Sequence, residues 1–130
     1  MYSDKIMQIF ARPKNVGIIK NAESVGEAGD VNGADYIKMF LRIEDTEIKD
    51  AKFKAFGSPF TIACMSILTG MLKGQELSQL NEISGKTVID YLGELPAGRD
   101  YVITLLDELI DSCIRDFLKK QEKLMLEELI

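Results

Sequence analysis

Four oxygen-bearing side chains, at three turns of the chain, are the first candidates for chemistry. Asp35 opens an alternating stretch just after Gly33, Ser58 sits in the turn Gly57-Ser58-Pro59, and Asp100-Tyr101 follows the break Leu95-Pro96-Ala97-Gly98. Two carboxylates, a hydroxyl and a phenol are all hard oxygen groups. They could contribute to a Mg²⁺ or Ca²⁺ site, although such ions usually need more carboxylates or waters. They could equally serve a carboxylate-based enzyme. The chain has no histidine, which removes both the commonest general base and the commonest metal ligand. Its two cysteines, Cys64 and Cys113, fall within apolar helical patterns. They read as small buried hydrophobes, with a redox or metal role as the competing view.

The elements that must position these groups are legible from periodicity. In Asp50–Gly74, Ala51, Phe53 and Ala55 alternate with Lys52, Lys54 and Phe56, the mark of a strand. Ile62, Met65, Ser66, Thr69 and Leu72 then recur at helical spacing. Between them Ser58 can cap a helix amide and Pro59 fits a first helical position. The spacing predicts a helix over 59–73 ended by Gly74, and Ser58 at the junction of sheet and helix. Residues 35–45 alternate, with Ile37, Met39, Leu41 and Ile43 on one face, and pair antiparallel with the strand that begins near Ile48.

Ser3 caps a short helix to Phe10, residues 16–20 are expected as a short edge strand, and the polar, glycine-containing 21–32 as a mobile surface loop. Short helical segments are expected at 77–83 and 84–92. A long helix from about Arg99 to the end carries Val102, Leu105, Leu106, Leu109, Cys113 and Phe117 on its core stripe. Gly26-Glu27-Ala28-Gly29 lacks the strand before it and the lysine-serine after it that a phosphate loop needs. The Lys52/Lys54 face reads as a solvated sheet surface, with an acidic partner as the minority view.

At 130 residues the chain suits one domain, 1–130, and a net charge of −5 with dispersed lysines argues against nucleic acid. No run approaches the roughly 20 apolar residues of a membrane span. Two cysteines without a signal-like start fit a cytoplasmic setting. The fold class is α+β: a small antiparallel three-stranded sheet packed on helices, with a long C-terminal helix.

The phrase Ala51-Lys52-Phe53-Lys54-Ala55-Phe56-Gly57, the apolar helix after it and Leu72-Lys73-Gly74 resemble the U-type iron–sulfur cluster scaffold family (NifU N-terminal domain, IscU, SufU). Pro13-Lys14-Asn15-Val16-Gly17 resembles that family's signature after the first helix. The resemblance implies three cysteine ligands, aided by an aspartate or histidine, for an Fe–S cluster or a zinc ion. Here Gly33-Ala34-Asp35 (or, slipped by one, Asn32-Gly33) stands at the family's C-G-D, Ser58 at the second cysteine, and Asp100-Tyr101 at the H-C pair. Asp35 alone matches, and is the one weak candidate for a metal. The former pocket is therefore Gly33, Asp35, Ser58, Asp100 and Tyr101, with no cluster, other cofactor or catalytic residue expected. The resemblance points to a protein-interaction or regulatory homologue. Its expected partners are a cysteine desulfurase or another cluster-assembly component, or a second copy bound through a helical extension at about 119–130. A hard-metal-binding protein or carboxylate-based enzyme reusing the pocket is the alternative. For the extension, docking of the helix end on its own domain is the plainer expectation.

Overall fold

The computed structural model describes residues 2–130. Ser3 accepts the amide of Ile6 and starts helix α1 (Asp4–Ala11), whose Ile6 is fully buried. Three strands follow, β1 (Ser24–Gly29), β2 (Tyr36–Glu44) and β3 (Glu47–Phe56), in one antiparallel sheet of order β1-β2-β3. The two-residue link Asp45-Thr46 takes positive φ at both positions, the backbone a tight hairpin requires. As the alternation predicted, Ile37, Met39, Leu41 and Ile43 of β2 and Ala51 and Phe53 of β3 are buried on one face.

Ser58 and Pro59 start helix α2 (Pro59–Leu72), with the Ser58 hydroxyl accepting the Thr61 amide. α2 is apolar nearly all round because it is covered on both sides, by β3 and by α1. A 3₁₀ segment (Leu77–Glu82) and helix α3 (Gly85–Leu92) lead to helix α4 (Tyr101–Glu128). α4 lies along β1, and Val102, Leu105, Leu106, Leu109, Ile110 and Cys113 form its buried stripe. The result is α+β, with the core between the sheet and its helices.

Three sequence expectations need correction. Residues 16–20 make no strand; Val16 forms a single parallel bridge to Phe53, closed by Gly17 N–H to Phe53 O at 2.8 Å and Phe53 N–H to Asn15 O at 2.9 Å. The third strand instead lies inside 21–32, where a mobile loop was expected. It is made of small residues because α4 crosses directly over it: a Cβ on Gly26 would come within 2.6 Å of the Cys113 backbone nitrogen. The docked helix end is not seen either, since every residue from Gln121 to Ile130 is exposed.

Candidate functional site

Asp35 ends the β1–β2 connection, and its carbonyl accepts the Asp30 amide at 3.0 Å. Its side chain is buried at 6% exposure. A buried carboxylate must be paired or fully hydrogen-bonded, and both Asp35 oxygens are. The Thr61 hydroxyl, in the first turn of α2, donates to Oδ1 at 3.1 Å. The Tyr101 hydroxyl, at the first residue of α4, donates to Oδ2 in a short bond. Arg99 Nη1 donates in turn to the Tyr101 oxygen at 2.9 Å. One carboxylate thus ties the start of β2 to the N-termini of α2 and α4, with a cation closing the chain on the outside. Gly57 makes room for it, since any Cβ there would overlap Asp35 Oδ1.

Burial, and then the bond to Asp35, push the Tyr101 phenol above its usual range. Tyr101 is therefore a neutral donor at ordinary pH, a lock on Asp35 rather than a base. The Ser58 hydroxyl is spent on the Thr61 amide and lies 3.4 Å from the Thr61 hydroxyl. Of the five residues expected in the pocket, the structure brings Asp35, Ser58 and Tyr101 together around Thr61. Gly33 is exposed in the hairpin loop, its amide bonded to Asp30 O at 2.9 Å. Asp100 is exposed beside the start of α4, and its side chain makes no capping bond. Thr61 and Arg99 were missed. Thr61 lies three residues after Ser58 and Arg99 two before Tyr101, and nothing in that spacing marks either as a member of the Asp35 cluster.

These donors do not fit an iron–sulfur cluster. Such clusters take thiolates, and the polar groups gathered here are a carboxylate, two aliphatic hydroxyls and a phenol. No buried side-chain nitrogen or oxygen among the described residues lacks a partner, so no orphaned donor waits for an ion. Nor do three or more His, Cys, Asp or Glu side chains converge anywhere among the described residues. Cys64 and Cys113 are buried free thiols, and burial pushes both up to about 12. Cys113 packs in the core against Gly26, with its thiol turned to Met39 O at 3.9 Å. The protonated thiol, not the thiolate a metal needs, is the state such sites favour.

The frame around this lock is that of known proteins. The description "NifU-like N terminal domain" matches residues 1–124. The chain belongs to this family. Among NifU-like relatives, the iron–sulfur cluster assembly scaffold protein IscU 1 of Archaeoglobus fulgidus is 33% identical over 124 residues, covering 95% of this chain and 81% of its own. The iron–sulfur cluster assembly scaffold protein IscU of Aquifex aeolicus is 32% identical over 122 residues, covering 92% and 78%. A crystal structure of a NifU-like protein (N-terminal) from Brucella abortus superposes with a TM-score of 0.69, covering 92% of this chain and 95% of that one. Its 16% identity makes this a likeness of fold. No helix among the described residues is long and apolar enough to cross a membrane.

Proposed function

We propose that this chain is a U-type scaffold homologue in which a hydrogen-bonded latch stands where its relatives hold a cluster, and that it acts by binding proteins rather than by carrying iron or by catalysis. The observation that carries the reading is that both oxygens of Asp35, the one carboxylate that matches the family pattern, already accept a hydrogen bond, from Thr61 and Tyr101. A ligand set of thiolates would hold three loops together through a metal. Here the hydroxyls of Thr61 and Tyr101 hold the same three loops through a carboxylate. The relatives' names, iron–sulfur cluster assembly scaffolds, support a cluster-assembly partner in general; we take it to be a cysteine desulfurase or another assembly component, met in the cytoplasm. The hard-metal and carboxylate-enzyme alternatives are disfavoured because Asp100, their second carboxylate, stays outside the cluster.

The test is anaerobic reconstitution with iron and sulfide, with zinc in parallel, followed by metal analysis. No stoichiometric metal is expected; one ion or cluster per chain would overturn the reading. The combined variant Gly33→Cys, Ser58→Cys, Tyr101→Cys places thiols at the three family positions and is expected to gain zinc. Its circular dichroism spectrum reports whether it still folds, and Ser58→Cys with Tyr101→Cys alone is the milder version. For the partner, a purified cysteine desulfurase is titrated with the wild-type chain, and absence of binding removes that part of the proposal.

A further inference from the structure

A cleft of about 590 Å³ opens between α1 and α2 and shares no residue with the Asp35 site. Its charge is one-sided. Lys5, Arg12 and Lys14 line it and no aspartate or glutamate does, on a chain whose net charge is −5. None of the three makes an ion pair among the described residues. The carboxylates closest in sequence do not answer them: Asp4 is outside the lining, and Asp90 is paired with Lys86 at 2.9 Å. The Lys5 ammonium is held by Tyr91 O at 3.0 Å and lies 4.9 Å from the centre of the Tyr91 ring. Its position is set while its charge stays uncompensated. Between the cations the floor is apolar, with Ile9, Ile67 and Met71 half-buried. Gly70 completes the floor and has no reason in the fold to be glycine. Inside a helix it costs stability relative to alanine. Its φ is not positive, and a Cβ there would meet nothing within 4 Å. What a bare Cα allows is close approach by a chain from outside.

We propose that this cleft receives a short acidic helix of a partner protein. Lys5 and Arg12 are seven residues apart on α1, about 10 Å along its axis, and two turns of a bound helix span about 11 Å. Carboxylates at i and i+7 of the partner helix then meet a cation at each end, with Lys14 as a third. Apolar side chains at i+3 and i+4 rest on Ile9, Ile67 and Met71, as a helix laid in a groove requires, and its backbone passes over Gly70. The inference deepens the protein-binding reading above, on which it rests, by naming the partner's chemistry. Metal reconstitution tests that reading, and the peptide titration below tests the cleft.

The probe is a fluorescein-labelled, alanine-based helical peptide with glutamates at i and i+7 and leucines at i+3 and i+4, titrated with the full chain and read by anisotropy. Saturable binding that weakens with salt is expected. Peptides with lysine for glutamate, or alanine for both leucines, are expected not to bind. Arg12→Gln with Lys14→Gln is expected to weaken binding roughly tenfold with thermal unfolding unchanged, because both side chains are exposed. Lys119→Gln with Lys123→Gln removes the same charge outside the cleft and is expected to leave binding as it was. Gly70→Leu fills the floor and is expected to abolish binding, and Gly70→Ala to weaken it while raising the melting temperature. No binding of the acidic peptide overturns the proposal. So does equal binding of the alanine control, which would make the contact one of charge alone, or binding indifferent to both Gly70→Leu and the Arg12/Lys14 pair.

Discussion

Asp35 shows how much structure a single buried carboxylate can hold. Its oxygens take one donor from each of two helices, and charge-assisted bonds of this kind are stronger than neutral ones. Tyr101→Phe removes one of them and leaves the carboxylate short of a donor. The expected cost is about 1–3 kcal/mol, read as a lower urea midpoint with an unchanged m-value. Asp35 and Tyr101 were legible in the sequence through the family resemblance, which implies ligand positions at Gly33-Ala34-Asp35 and Asp100-Tyr101. Thr61 was not. A threonine in a first helical turn usually bonds to its own backbone, and nothing local says that its hydroxyl crosses to residue 35.

At the scale of elements, the informative contact is between β1 and α4. β1 is an edge strand, and open edges invite pairing with other chains. Here α4 closes it: the Val25 amide donates to Asp116 Oδ2 at 2.7 Å, the Glu27 amide to Ser112 Oγ at 3.0 Å, and the Ser24 hydroxyl to Cys113 O at 2.6 Å. Burial pushes the Asp116 carboxyl up, but Lys120 and the Val25 amide outweigh it and hold it below its usual value, keeping the acceptor charged. Gly26 sits at the closest approach. Gly26→Ala forces its Cβ onto the Cys113 backbone and is expected to destabilise by about 1–3 kcal/mol. Hydrogen exchange at Val25 and Glu27 should rise with it. The same packing explains why this strand was illegible: serine, glycine and alanine are chosen for the clearance under a helix, and they carry none of the branched, alternating signal that revealed β2 and β3.

For the whole molecule, the histidine-free core leaves its thiols as the groups whose ionisation is most changed by folding. Cys64 and Cys113 are pushed by burial from 9.0 up to about 12. The unfolded chain therefore releases these protons near pH 9 while the folded chain keeps them. Their stabilising share is complete below pH 9 and is lost as pH rises toward 12, at up to about 1.4 kcal/mol per pH unit for each thiol. Cys64→Ala lowers stability at neutral pH through lost packing, and is expected to flatten the decline between pH 9 and 10.5 in urea titrations. Apart from β1, the sheet-and-helix plan at this scale was readable from periodicity. The standing-off end of α4 was not, because an apolar helical stripe looks the same whether it is covered by its own domain or by nothing.

The closure of β1 by α4 also sets an order of events during synthesis. Ser24 and the residue whose carbonyl it grips are 89 positions apart, so the strand emerges from the ribosome long before its cover exists. Until then its outward amides face water or any passing strand, and the hairpin with β2 offers little burial of its own. The domain therefore closes only once α4 has been translated, and until then the open edge is the part of the chain most exposed to wrong pairing.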